Sequence, residues 1–292
     1  MMNVPWVEKY RPDNFDTIIL NEENKILIEH MIENDNMYNL ILYGPPGTGK
    51  TTTVMNIIKK YNEKKKYKSN VIHLNASDER GIEIIRNNIY QFVNSKSMFK
   101  DTKKFIILDE VDYMTKNAQF ALQYILKEHN NTHFCLICNY ISKIIPQIRD
   151  KLMVIQFSNL LPCKIINYLK FICKKENITV NEKKLISIQK YYNSDIRGMI
   201  NFLQSNYNNP IFDTILFYNI YNKLKNKKIK KKYIEDKIKK LNISKSEFIM
   251  IFLKLAIQER IFNMEMIEKF QIILHHHLDE KYLIETFIDI DY

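Results

Sequence analysis

The residues best placed to do chemistry are Gly44-Pro45-Pro46-Gly47-Thr48-Gly49-Lys50-Thr51, which follow an apolar run and open a helical pattern. Glycines at this spacing let backbone amides curl around phosphate oxygens. Lys50 then sets a cation on the β and γ phosphates, and the Thr51 hydroxyl is positioned for Mg²⁺. With Thr52, the loop makes an expected binding set for ATP and Mg²⁺. A second run, Lys104-Phe-Ile-Ile-Leu-Asp109-Glu110-Val-Asp112, is an apolar strand ending in carboxylates. Asp109 is expected to hold the metal through water, and Glu110 to take a proton from the attacking water. Acidic residues that merely end a strand are the plainer alternative, and the loop upstream weighs against it.

Such residues need a sheet that ends where they stand. Five short apolar runs read as buried strands: 39–43, 71–75, 104–108, 133–138 and 152–157. Helical patterns at 24–33, 50–61, 82–95 and 117–128 alternate with them, as a parallel sheet wrapped by helices requires. Beyond Leu161 and Pro162 the pattern turns to amphipathic helices, including 162–176, 181–191 and 195–205. The polar stretch 206–210 interrupts it with turn-forming Asn and a Pro, and all of 211–292 then reads as helix. The expected division is an α/β ATPase domain at 1–160, a helical lid at 161–207 and an all-α domain at 208–292.

Composition excludes several classes. No apolar window is long enough for a bilayer crossing, and residues 1–6 lack the regions of a signal peptide, so an intracellular protein is expected. Four cysteines in 292 residues are no disulfide framework. Cys135 and Cys138 have metal-like spacing without a second pair, and buried strand positions are the better reading. The triplet His275 to His277 lies in an apolar helical pattern and reads as packing, as do Tyr10, Tyr43 and Tyr113, the tyrosines as packing or pocket wall. The net charge is +11, with 21 basic against 18 acidic residues through 158, and 23 against 15 beyond. Seven of the ten residues 223–232 are lysine, either a solvated helix face or a nucleic-acid contact or nuclear signal.

Three further segments, Pro5-Trp-Val7-Glu-Lys-Tyr10-Arg11-Pro12, Leu74-Asn-Ala-Ser-Asp78-Glu-Arg80-Gly81 and Phe134-Cys-Leu-Ile-Cys-Asn139-Tyr, give the chain a more specific likeness. Up to about Ser205 it resembles the small subunits of replication factor C, AAA+ clamp loaders. The resemblance implies an AAA+ P-loop ATPase domain with a parallel sheet, a helical lid and an all-α collar that joins subunits. It places Val7 and Arg11 beside the nucleotide, makes Asn139 a first sensor near the γ phosphate, and makes Arg197 in Ser194-Asp-Ile-Arg-Gly198 a second sensor reaching from the lid. ATP and Mg²⁺ are then the expected cofactors. The expected partners are the other loader subunits, as a hetero-pentamer, with a ring-shaped sliding clamp and primer-template DNA. The location implied is the nucleus if the source is a cellular eukaryote.

One departure stands out. Where the family has Ser-Arg-Cys, this chain has Asp150-Lys151-Leu152. The family's arginine enters a neighbouring subunit's ATP site, and lysine keeps the charge while losing the planar fork. Lys151, or Arg149 two residues earlier, is expected in that role, with weak stimulation of the neighbour. Arg80, Arg86 and Lys143 are the candidates for DNA backbone contact. The family's paired arginines are replaced by Gln123-Tyr124, which weakens that set. Two other readings remain open: a loader subunit that binds ATP without useful hydrolysis, and an AAA+ remodeller of other substrates.

Overall fold

A computed structural model describes the chain except for residues 1–3, 67, 78–81, 96–102, 129–131, 207–213, 242, 262–263, 276–281 and 291–292. For 82–86 and 274–275, among others inside helices, only the backbone is described. Residues 207–210 of the expected domain boundary, the side chains of the His275 to His277 triplet and those of Arg80 and Arg86 therefore lie outside what is described.

In chain order the first elements are α1 (Trp6–Lys9), α2 (Glu22–Glu33), β1 (Leu40–Tyr43), α3 (Lys50–Lys65), β2 (Asn70–Asn75), α4 (Ile82–Asn94), β3 (Lys104–Asp109), α5 (Lys116–Glu128), β4 (Thr132–Cys138), α6 (Pro146–Arg149) and β5 (Met153–Gln156). They are followed by α7 (Pro162–Lys175), α8 (Glu182–Tyr192), α9 (Ile196–Asn206), α10 (Thr214–Lys225), α11 (Lys231–Leu241), α12 (Lys245–Gln258), α13 (Met264–His275) and α14 (Leu283–Ile288).

The strands form one parallel sheet in the order β2-β3-β4-β1-β5. Parallel strands need crossover helices, and those helices cover both faces, so central strands must be apolar throughout. β4, at the middle, is buried at every position. Alternation sorts its neighbours to two cores. Leu40, Leu42, Phe105, Ile107, Cys135 and Ile137 pack with Ile57, Ile58 and Tyr61 of α3, whereas Ile41, Ile106, Leu108, Leu136 and Cys138 pack with Ile89 of α4 and Leu122 and Ile125 of α5. Cys135 and Cys138 thus face opposite sides of the sheet and cannot share a metal ion. Burial pushes each thiol up to about 12.

The chain divides into two compact units, Met1–Ile165 with Ser194–Gly198, and Ile166–Asn193 with Met199–Tyr292. The second unit is helical in every assigned element. Its core gathers Phe217, Phe248, Phe252, Phe270 and Phe287, with the rings of Phe217 and Phe252 4.8 Å apart and those of Phe252 and Phe287 5.1 Å apart and edge-on. Two of its helices begin on side-chain caps. Asn181 accepts from the Lys183 amide, and Ser244 accepts from Glu247, which a Ser-x-x-Glu spacing favours. Lys254 donates to the Tyr191 carbonyl and lies over that ring, tying α12 to α8.

Candidate active site

In an open parallel sheet, ligands bind beyond the carboxyl ends of the strands, where the order of connection reverses. Here the chain passes from β1 outward to β2 and returns through β3 to β4, which lies beside β1. The three strands side by side at the centre each end in chemistry: β1 in the loop from Gly44, β3 in Asp109 and Glu110, and β4 in Asn139.

The loop leads into α3 through backbone that only glycine holds without strain. Gly47 has φ +72°, and a Cβ there would stand 1.9 Å from Asp195 Oδ1; at Gly44 it would stand 2.1 Å from the Phe157 carbonyl oxygen. α3 begins without a side-chain cap and with no acid in its first turn. Its amide end is therefore open to an anion, as a phosphate requires.

Lys50 is buried, and its ammonium donates to the carbonyls of Gly44 and Pro45, both at 2.8 Å, and to Asn139 Oδ1 at 2.9 Å. Burial lowers its proton affinity, the charges of Asp109 and Asp112 work the other way, and Arg197 lowers it further. A second cation held this near marks a place for negative charge.

The Thr51 hydroxyl donates to Asp109 Oδ2 at 2.7 Å, and the Glu110 amide donates to Oδ1 at 2.9 Å. Burial alone would raise the Asp109 carboxyl, but the nearby His73 ring and the hydrogen bonds from Thr51 and the Glu110 amide outweigh it and hold the group below its ordinary value. A hydroxyl beside an ionised carboxylate is the hard-oxygen donor pair that Mg²⁺ takes while keeping several waters. Uncapped helix amides, a buried lysine and this pair fit a Mg-nucleotide. Thr51 and Asp109 would hold the ion, which would draw charge from the phosphate oxygens.

Glu110 sits in the left-handed region, φ 57°, uncommon for a residue with a side chain and the kind of strain that collects at functional sites. Asp112 is buried; its Oδ2 accepts from the Tyr140 amide at 3.3 Å, while its Oδ1 is without a hydrogen-bond partner among the described residues. Gln119 is also buried and fixes the segment after Asn139, donating to the Met114 and Lys143 carbonyls and accepting from the Ile145 amide.

The N-terminal segment lies against α3. Arg11 Nε donates to Thr52 Oγ1 at 3.2 Å, Asn56 donates to the Pro12 carbonyl, and Lys59 to that of Asp13. This brings Arg11 beside the loop helix, with half-buried Val7 in the same segment on α1. Ser194–Gly198 docks on the loop from the other side. Leu160 donates to the Ser194 hydroxyl, and the Ile196 amide to the Gly47 carbonyl at 3.3 Å. Arg197 itself is exposed.

Lys50, Thr51, Asp109, Glu110 and Asn139 are thus brought together, Arg197 lies within electrostatic reach, and Lys143 and Lys151 are exposed apart from that hydrogen-bonded set. Lys143 lies over the rings of Tyr113 and Tyr140, at 5.3 and 5.2 Å. Tyr113 is 53% exposed, so it does not pack in the core, one of the two places the sequence reading allowed it; the short helical turn after Glu110 carries it outward. His73, whose Nε2 is 3.9 Å from Asp109 Oδ2, and Asp195, against Gly47, escaped sequence reasoning. Strand pairing places the first and a long-range contact the second. Neither leaves a motif.

Residues 40–160 match the model for the ATPase family associated with various cellular activities (AAA), so the chain carries an AAA domain. The chain is 40% identical over 204 residues to mouse Replication factor C subunit 5, 70% of this chain and 60% of that protein, and the same measures hold for the human subunit 5. It is 39% identical to Replication factor C small subunit 2 of Pyrobaculum islandicum over 70% of this chain and 64% of that one. The matched stretch thus spans about three fifths of these relatives' length. In three dimensions it is similar to the Thermotoga maritima RuvB Holliday junction branch migration motor, with TM-score 0.52 and 16% identity over 66% of this chain and 64% of the other, which shows the fold alone.

Proposed function

We propose that the chain binds and hydrolyses ATP with Mg²⁺ as one subunit of a replication factor C-like loader that opens a sliding clamp and sets it on primer-template DNA during replication. The observation that carries the ATPase reading is the 2.7 Å hydrogen bond from Thr51 to Asp109 beside the buried ammonium of Lys50, joining the ends of β1 and β3 across the end of β4. The names of the curated relatives carry the step to clamp loading.

On this reading Lys50 and the α3 amides hold the phosphates, and Gly44, Pro45, Pro46, Gly47, Thr48, Gly49 and Thr52 wrap them. Val7 and Arg11 border the nucleotide, Asn139 orients the attacking water near Lys50, Glu110 takes its proton, and Arg197 senses the triphosphate. Residues 1–160 are the ATPase domain, 161–207 the lid and 208–292 the collar through which loader subunits, five in all, associate. Arg80, Arg86 and Lys143 meet the DNA backbone. Such a protein works inside the cell, in the nucleus of a eukaryote.

At the neighbour's site we assign the trans-acting cation to Lys151. It is exposed, whereas the Nε of Arg149 is buried without a hydrogen-bond partner among the described residues. That lysine also favours a second reading, a ring subunit whose own hydrolysis is dispensable. Single-turnover hydrolysis by the assembled complex, with Glu110→Gln in this chain alone, separates the two. Loss of this subunit's turnover by about 10²-fold or more with ATP binding intact is the expected result; unchanged turnover establishes the second reading.

A further inference from the structure

Beyond residue 158 the chain's charge excess is confined to one place. Residues 223–240 hold ten lysines against Glu235 and Asp236, while the remainder of 159–292 is balanced, 13 basic against 13 acidic. This stretch is the end of α10, a turn, and α11. The turn is a helix stop of defined geometry. Lys227 takes the left-handed conformation at φ 53°, its amide donates to the Leu224 carbonyl at 2.8 Å, and the Lys228 amide donates to that of Lys223 at 2.9 Å. Glycine is the usual residue at such a position, because a side chain there costs conformational energy.

Helix electrostatics sorts these lysines into two groups. Lys223 and Lys225 lie in the last turn of α10, where the helix dipole favours cations, so fold stability accounts for them. Lys231 and Lys232 open α11, whose first turn has no acid, and Lys230 precedes it where a capping acceptor would serve the helix better. Glu285 pairs with Lys231 at 2.7 Å. Around the same turn, Lys223 and Lys237 share one ring, 3.8 and 5.5 Å from the centroid of Tyr233. Cations gathered where they repel one another and oppose a helix dipole are a cost to the fold that a bound polyanion would offset.

The apolar residues of the hairpin do not face outward. Leu224, Ile234, Ile238 and Leu241 are buried in the helical core, while Lys225, Lys227, Lys228, Lys230, Lys232, Lys239 and Lys240 are exposed. A membrane-surface helix needs an apolar face to insert, and this one has spent its apolar face on the core. A phosphodiester backbone needs only the cations.

We infer that the α10–α11 hairpin binds the sugar-phosphate backbone of nucleic acid without reading bases. This site is independent of the ATP pocket and of the clamp-loader reading, and stands if that reading fails. In the full chain, Lys225, Lys228, Lys230 and Lys232 are changed together to Gln, and compared with a variant carrying Lys68, Lys116, Lys174 and Lys183→Gln, equal in net charge. Binding of a fluorescent DNA duplex is followed by anisotropy across roughly 50 to 200 mM salt. The slope of log K against log salt is expected to shrink by about 2 to 3 in the hairpin variant and by less than about 1 in the control, each lost phosphate contact removing about 0.9. Equal losses in the two variants mean bulk charge alone and overturn the proposal. So does an unchanged slope, or hairpin-dependent retention on phosphatidylserine-rich vesicles without an effect on DNA. The single change Lys232→Glu guards against misfolding. It is expected to raise Tm while weakening DNA binding, and a rise in Tm with DNA affinity unaltered assigns the hairpin to the fold alone.

Discussion

At the scale of single residues the pocket is held ready by short polar contacts. Lys50 has its three donors on neutral acceptors, two loop carbonyls and Asn139, so arriving phosphates exchange partners with it rather than meeting an idle cation. Lys151 tests how much geometry matters beyond charge. Because an arginine fork bridges two phosphate oxygens and an ammonium does not, Lys151→Arg is expected to raise the assembled complex's ATPase rate by about tenfold or more. Steady-state hydrolysis checks it, and no change argues against a trans role for position 151. The loop, Asp109 and Glu110 were legible in the sequence because each motif is contiguous and sits at a strand end. His73 was not, since an alternating strand position says nothing about which carboxylate lies across the ladder.

At the scale of elements, the loop and the start of α9 depend on each other. Gly47 leaves room for Asp195, whose Oδ1 also accepts from the Gly198 amide at 3.0 Å and so shapes the first turn of α9. Gly47→Ala puts a methyl into that carboxylate at a positive φ. It is expected to destabilise the fold by about 1 to 3 kcal/mol and to weaken nucleotide binding, checked by denaturant unfolding and by ATP titration. The order of strands and helices was readable from periodicity, because buried parallel strands are short apolar runs and crossover helices repeat at 3.6 residues. Their ends were not: β2 starts at Asn70 and α3 runs on to Lys65, as neighbouring strands and a lysine-rich last turn extend what the apolar pattern alone marks. The docking of 194–198 on the loop joins residues distant in the chain and left no local trace.

At the scale of the whole molecule, one buried histidine ties stability to pH. Burial, aided by the charge of Lys103 and opposed by Asp35, pushes His133 down to about 4 from 6.5. The folded chain keeps this ring neutral where the unfolded chain binds a proton. Its contribution is therefore fully present above pH 6.5 and is lost as pH falls toward 4, by up to about 3 kcal/mol. Urea unfolding of the protein and of His133→Leu at pH 7 and pH 5 checks this, with a flatter dependence expected in the variant; parallel curves count against it. Charge at this scale was legible in part: the sequence already placed much of the later excess in residues 223–232. Which of those lysines a helix end favours and which it opposes needed the bounds of α10 and α11.

The two thiols of β4 carry a consequence of another kind. Cys135 belongs to one core and Cys138 to the other, Cys173 is buried in the second unit, and Cys163 stands exposed on α7. Each compact region thus contains its own chemical reporter, with Cys163 reacting at once as an internal standard. Rates of thiol labelling under native conditions read how often each region opens, so the two faces of the sheet and the helical unit can be timed separately in the unaltered protein.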